Sequence, residues 1–390
     1  MIAIVLSIAA LSGCTAYNNF VDAFFKGDEE TIRIGVFEPL SGAYAKYGAP
    51  ERTGIELAHA LYPDVDGKAV QLVLADNESN LRQAREAAQK LIEADISVVL
   101  GSYDSTLSIA GGEVFQESGV PAIAITNTNP VVTDAFDVYC RVCPVESEQG
   151  FAAAAYAADN LRTKKAAVLK ERDNDFAVTL TKNFSESFAE KSGAGDAGIL
   201  TVEYDGGQTD FAEQLKAIEK FGAKVVFFPG AWDAGVRAMT EAGRTGFSMH
   251  FLGTDEWRTD GMLTGYKSGA MPSMAFTAYY SENADMTEMS SVFLKAYRGK
   301  FGADAVPDPA AALAFDAYLI ALESIRAAGS PADRKAILTA LRGTKAFPGA
   351  SGEITFDENG NPIKPITIIT VSDGKFISID TVSPEKKKGK

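Results

Sequence analysis

The sequence predicts an α/β protein of two lobes, each built on a parallel central sheet. Short apolar runs alternate with longer stretches of helical apolar spacing along most of the chain, the pattern of β-α units whose sheet is covered on both faces. The pattern starts over after Arg141, with units at similar spacing. At 390 residues the chain is long for one core and comfortable for two.

The first strand is expected at 32–37, and the loop after it, 39–48, puts Tyr44 and Tyr47 beyond a strand end. A helix follows over 51–61. A strand at 70–75 leads through Asp76-Asn77-Glu78-Ser79-Asn80 into a helix over 81–93, where Leu81, Ala84, Ala88, Leu91 and Ile92 keep helical spacing. Val98-Val99-Leu100 is a buried strand ended by Gly101. Asp104, Ser105 and Thr106 then open a helix that turns Leu107, Ala110, Val114 and Phe115 inward until Gly119 and Pro121 stop it. A strand over 121–125 runs into Thr126-Asn127-Thr128-Asn129-Pro130. Two parallel strands thus bring hydroxyl- and amide-rich ends to one sheet edge, where open α/β sheets take small ligands. Taken singly, each loop reads equally as a capped helix and a turn.

In the second half, strands at 165–170, 200–204, 224–228 and 249–253 alternate with a helix to about 191 and helices at 211–221 and 234–242. A strand near 273–279, helices near 290–301, 309–328 and 333–342, and strands at 352–356, 366–371 and 376–380 complete the pattern. Neither lobe is finished before the other begins, so at least two segments cross between them, which makes a hinge with a cleft. The expected division is 31–143 with 278–352 for the first lobe, 144–277 with 353–382 for the second, and a disordered charged tail at 383–390.

A net charge of −15 leaves no basic face for nucleic acid and suits a solvated, monomeric protein. His59 and His250 stand in no metal-ligand spacing, and no dinucleotide fingerprint, nucleophile elbow or catalytic histidine points to an enzyme, so neither metal nor cofactor is expected. Cys140 and Cys143 lie in an alternating stretch that would turn them to opposite faces of a strand, and they read as buried small hydrophobes. The apolar run 2–11 is too short to span a bilayer and fits an export signal. Leu11-Ser12-Gly13-Cys14 after it resembles the lipobox of bacterial lipoproteins. That resemblance implies a diacylglyceryl group on Cys14, cleavage before it, 15–30 as a tether and a lipid anchor in the membrane. An uncleaved signal with an incidental cysteine is the alternative. No Lys or Arg precedes the run, which suggests a start further upstream.

Beyond single motifs, Ile34-Gly35-Val36-Phe37-Glu38-Pro39-Leu40-Ser41-Gly42, Tyr47-Gly48, Gly101-Ser102, Gly119-Val120-Pro121, Thr128-Asn129-Pro130 and Arg141-Val142-Cys143-Pro144 follow one another in a specific order. Ser147-Glu148-Gln149-Gly150, Thr209-Asp210-Phe211, Gly253-Thr254-Asp255 and Phe356-Asp357-Glu358-Asn359-Gly360 continue it. In this the chain resembles the branched-chain amino-acid-binding proteins of ABC importers, over about residues 32–379. The resemblance implies two Rossmann-like lobes with parallel central sheets joined by a multi-strand hinge, the type I periplasmic binding protein fold. It implies an amino acid as ligand, an ABC permease with its ATPase subunits as partners, and an extracytoplasmic place. It further implies that Ser105 and Thr106 take the ligand's α-carboxylate, that Thr126, Thr128 and Asp255 take its ammonium, and that Tyr47 lines the pocket.

A helix N-terminus suits an anion, although a plain Ser/Thr cap needs the same residue types. Asp255 would serve equally to cap a turn, and Tyr47 to sit half-exposed in a loop. Phe176-Ala177 stands where the family carries Tyr-Gly, and Ala231-Trp232-Asp233 differs from the family's loop, so that Trp232 either fills the pocket or packs. These departures fall where the side chain is read, and they leave an α-amino acid as ligand without fixing a branched-chain one. A ligand sensor of the same fold, or a binder of amides, short peptides or other small organic acids, is the alternative function.

Overall fold

Two sheets assembled in the same order set the architecture. The computed structural model describes residues 31–283 and 287–384; the expected export signal, Cys14, the tether and the last six residues of the tail lie outside the described residues. The first sheet contains β1 (Ile32–Glu38), β2 (Asp64–Val65), β3 (Lys68–Asp76), β4 (Val98–Gly101), β5 (Ala122–Ala124) and β6 (Tyr139–Arg141), in the order β2-β3-β1-β4-β5-β6. All but β2 run parallel. The second contains β7 (Ala166–Glu171), β8 (Ile199–Tyr204), β9 (Val225–Phe227), β10 (His250–Gly253) and β11 (Ser273–Ala278) as parallel strands in the order β8-β7-β9-β10-β11. A small ribbon of β12 (Phe347–Gly349) and β13 (Gly352–Ile354) precedes β14 (Ile366–Ser372) and β15 (Lys375–Val382), which extend the second sheet antiparallel beyond β11. In each sheet the first parallel strand lies between the second and the third. The order therefore reverses between β1 and β4, and again between β7 and β9, and that reversal opens a crevice at the strands' carboxyl ends.

The helices are α1 (Ala45–Leu61), α2 (Leu81–Glu93), α3 (Ser105–Ser118), α4 (Val131–Asp134), α5 (Glu146–Ala155), α6 (Asp175–Ser192), α7 (Ala212–Phe221), α8 (Trp232–Thr245), α9 (Asp260–Gly265), α10 (Glu288–Phe301), α11 (Pro309–Ala328) and α12 (Arg334–Arg342). Local chemistry explains their ends. Asn80 accepts from the N–H groups of Arg82 and Gln83 at 3.0 and 3.3 Å and starts α2, which buries Ala84, Ala87, Ala88 and Leu91. Asp308 accepts from the Ala310 N–H at 2.9 Å, and Pro309 fills a first-turn position that needs no donor, so α11 begins there. The long helix packs along α1, and their apolar faces close over Ile32, Ile34 and Val36 of β1. The chain leaves the first sheet after β6, returns after β11 to lay down α10 to α12, and leaves again after β13 for β14 and β15.

Several elements differ from the sequence reading, among them the short β2, α4, α9 and β12, which it did not contain. The first helix begins at Ala45 and carries Pro50 in its second turn. Proline forfeits one helical hydrogen bond there, and burial of Gly48, Glu51, Gly54, Ile55 and Ala58 on both sides of it offsets the loss. Helix α5 was not anticipated, because Ala152, Ala153, Ala154 and Ala155 are all buried and leave no polar stripe to reveal its period. Strand β6 is shorter than expected, and Cys140 and Cys143 are buried free thiols pushed up to about 12 by that burial.

Candidate functional site: a cleft between two sheet edges

The carboxyl ends of both sheets face a shared cavity of about 750 Å³. From the first lobe it is lined by Tyr47, Ser105, Thr126 and Thr128, and from the second by Phe176, Trp232 and Asp255. Seven of the eight ligand residues expected from the sequence are thus brought together. Thr106 is not among them: its hydroxyl donates back to Asp104, the cap of α3, and its side chain is exposed. Asp104 also accepts from the N–H groups of Thr106 and Leu107 at 2.9 and 3.2 Å. The N–H and hydroxyl of Ser105, the first helical residue, are then the donors left to face the cavity, reinforced by the positive end of α3.

The loop after β5 is held from behind. Arg141 is wholly buried, and its guanidinium donates to the carbonyls of Asn127 (2.6 Å), Asn129 (2.9 Å) and Pro130 (3.2 Å) and to the Thr133 hydroxyl (2.7 Å). With its carbonyls so fixed, the loop presents Thr126 and Thr128 to the cavity. The Thr126 hydroxyl donates to Glu51 of α1. Glu51 and Glu38, at the end of β1, are both fully buried, and Glu38 accepts the Tyr103 N–H at 2.9 Å. Burial and the neighbouring carboxyl hold Glu38 well above the usual range; burial raises Glu51 to about 7. Gly101 is the residue that makes room for Glu38. Its φ is +106°, and a Cβ there would stand 2.4 Å from Glu38 Oε1 and 2.3 Å from the Phe37 carbonyl.

On the second lobe Asp255 follows β10 and is clamped by Gln149 of α5. Gln149 Nε2 donates to Asp255 Oδ1 at 2.8 Å, and the Asp255 N–H donates to Gln149 Oε1 at 3.1 Å. The Thr277 hydroxyl also donates to that Oε1, and Nε2 reaches the Tyr279 hydroxyl, so the amide's orientation is fixed. Burial lifts Asp255 to about 6. Burial, then repulsion by Asp255, Glu171 and Asp233, lifts Glu256 to about 7. Trp232 begins α8 and lies flat on α9, where a side chain at Gly261 would come within 2.3 Å of its ring. Tyr47 stacks on Tyr103 at 5.5 Å, with Lys46 Nζ 4.6 Å from its ring centre. The cavity therefore offers donors at Ser105, acceptors at Thr126 and Asp255, and aromatic surface at Tyr47, Phe176 and Trp232.

A family model described as "periplasmic binding protein" matches residues 31–375. The chain belongs to the periplasmic binding protein family. Among solved structures it is similar to the leucine-binding protein LivK of Thermotoga maritima, at 30% identity and a TM-score of 0.77 over 90% of this chain and 99% of that one. It is similar to the branched-chain amino-acid substrate-binding protein LivJ of Streptococcus pneumoniae, solved with isoleucine, at 25% identity and a TM-score of 0.75 over 91% and 100% of the two chains. Among curated relatives, Leu/Ile/Val-binding protein homolog 3 of Brucella melitensis is 27% identical over 90% of this chain and 94% of its own length. Membership in this family makes the chain a ligand binder of an ABC transporter rather than an enzyme.

Sequence reasoning missed several residues of this binding protein's cleft. Gln149 lay in a quoted motif but on an unrecognised helix. Tyr103, Glu256 and Arg258 also line the cavity, next in sequence to the residues the motifs contain. Glu38 and Glu51 carried no signal, since a single carboxylate at a strand end and another on a helix look like solvated positions until the fold joins them.

Proposed function

We propose that this protein captures a small α-amino acid in the cleft and delivers it to the permease of an ABC importer, acting as a monomer tethered to the outer face of the cell membrane through lipid on Cys14. The supporting observation is the separation of chemistry across the cavity. Ser105 offers donors at a helix N-terminus, suited to a carboxylate, while Thr126 and Asp255 offer acceptors, suited to an ammonium. The leucine- and isoleucine-binding relatives support the same class of ligand. Thr128 stands beside Thr126 and completes the loop's polar face. The side chain of the ligand would meet Tyr47, Phe176 and Trp232. Docking on the first lobe followed by closure of the second brings Asp255 against the ammonium in a dry site, where a charge-assisted pair is stronger than at a surface.

Calorimetry against a panel of amino acids tests this reading. A hit whose affinity is lost in Asp255→Ala and weakened in Ser105→Ala is expected; a hit indifferent to both changes refutes the site. Cell fractionation tests the anchor: Cys14→Ser should move the protein from the membrane to the soluble fraction, and retention on the membrane refutes lipidation there.

A further inference from the structure

We propose that Arg258 reads the far end of the ligand, so that the cleft takes an amino acid whose side chain ends in an oxygen acceptor, a carboxylate or a primary amide, in preference to a wholly apolar one. The inference rests on the amino-acid reading of the cleft and adds to it the class of side chain.

The geometry carries it in three steps. Arg258 lines the cavity and stands one tight turn beyond Asp255: the 3₁₀ segment Asp255–Trp257 closes with the Arg258 N–H on the Asp255 carbonyl at 3.0 Å. Residues three apart in such a turn lie one above the other, about 6 Å along its axis. The wall that offers a carboxylate to the ammonium therefore offers a guanidinium one step further on. The turn is held firmly, because Trp257 inside it is fully buried, with its indole N–H on the Gly230 carbonyl at 2.8 Å and its ring packed on Gly235 and Gly253.

Second, the guanidinium is held in place yet has donors to spare. Its Nε is buried and makes no hydrogen bond, and among the described residues no hydrogen bond or ion pair engages its Nη groups. The ring of Phe376 supports it at 5.2 Å, and an arginine stacked on an aromatic face keeps its planar edge free for oxygen. Asp308, the carboxylate on the facing lobe that attracts it most, is not ion-paired with it and caps α11. Third, a desolvated donor is costly until something accepts from it, and an apolar side chain laid against Arg258 would leave it unpaired. An oxygen at the end of the ligand's side chain removes that cost. Glu256 lines the same cavity, and its carboxylate makes no hydrogen bond or ion pair among the described residues. A primary amide can thus give its oxygen to Arg258 and an N–H to Glu256, whereas a carboxylate uses Arg258 alone.

The experiment is calorimetry of glutamate, glutamine and methionine, whose side chains are of similar length, against wild type and Arg258→Met, with a thermal melt to establish that the variant is folded. The substitution keeps an apolar stem against Phe376 and removes the donors. Wild type should bind glutamate or glutamine about tenfold or more tightly than methionine. Arg258→Met should weaken the preferred one about ten- to a hundredfold and leave methionine unchanged or tighter. Glu256→Gln tells the two acceptors apart: a carboxylate ligand gains affinity by losing a like charge, and an amide ligand loses affinity with its acceptor. Methionine binding more tightly than both in wild type overturns the proposal, and this arm needs no variant. Equal losses for all three ligands in Arg258→Met overturn it too, and make Arg258 a partner of Asp308 in closing the cleft. In either case a hit that depends on Asp255 keeps the amino-acid reading. Absence of binding by every amino acid overturns both.

Discussion

Replacing Asp255 with Asn separates what this carboxylate does for the ligand from what it does for the fold. The amide is isosteric and can still accept from Gln149 Nε2, and the backbone N–H to Gln149 Oε1 is untouched. Only the charge goes. In the free protein, burial has lifted Asp255 from 3.8 to about 6, so the folded state resists ionisation and the carboxylate's contribution worsens as pH rises from about 4 to about 6. A shift of about 2 units corresponds to roughly 3 kcal/mol, reduced to roughly 1–2 kcal/mol because the group opens onto the solvent of the cleft. The unliganded variant should therefore be more stable at pH 7, by about 2 °C in a thermal melt for a chain of this size. Ligand affinity should move the other way. Leaving an ammonium in a closed cleft without its carboxylate costs about 3–4 kcal/mol, a loss of roughly 100- to 1,000-fold in calorimetry. In wild type, affinity should also fall as pH drops through about 6. A variant that melts lower without ligand and binds as tightly as wild type would refute the reasoning and make Asp255 a structural partner of Gln149.

Two further predictions follow from the first lobe. Ser105→Ala removes one donor from the carboxylate end and should weaken an amino-acid ligand about tenfold, with a smaller effect on the corresponding amino-acid amide; equal losses for both would place the carboxylate elsewhere. Arg141→Met leaves the carbonyls of Asn127, Asn129 and Pro130 without donors and should destabilise the chain by about 3 kcal/mol or more in urea, with faster hydrogen exchange across 126–134. Unchanged exchange there would show that the loop holds its shape unaided.

The legible parts of the fold are those where local and long-range demands coincide. The helix over 81–93 was read to the residue because Asn80 caps it and its apolar residues face one way. The cleft was legible for a similar reason, since strand ends at a sheet edge have only one side on which to present hydroxyls. What escaped depended on partners far along the chain. Pro50 sits inside a helix because α11 packs against that helix, and nothing near Pro50 announces it. Helix α5 buries Gln149, Gly150 and the run Ala152–Ala155, so the second half of its sequence has no polar rhythm. Glu51 meets the Thr126 hydroxyl only when the fold brings the loop after β5 against α1, far along the chain.

The repeated crossings between the lobes also govern when this chain can fold. The apolar side of β1 is covered by α11, which is synthesised only after the whole parallel part of the second sheet, and that sheet in turn waits for β14 and β15. Neither half can complete its core until the C-terminal third has been made: one face of the first sheet waits for α11, and the second sheet waits for β14. Contacts so distant in sequence make folding slow and leave apolar strands uncovered in the meantime. The parts of both cores that wait for the C-terminal segments stay open until those segments have been made.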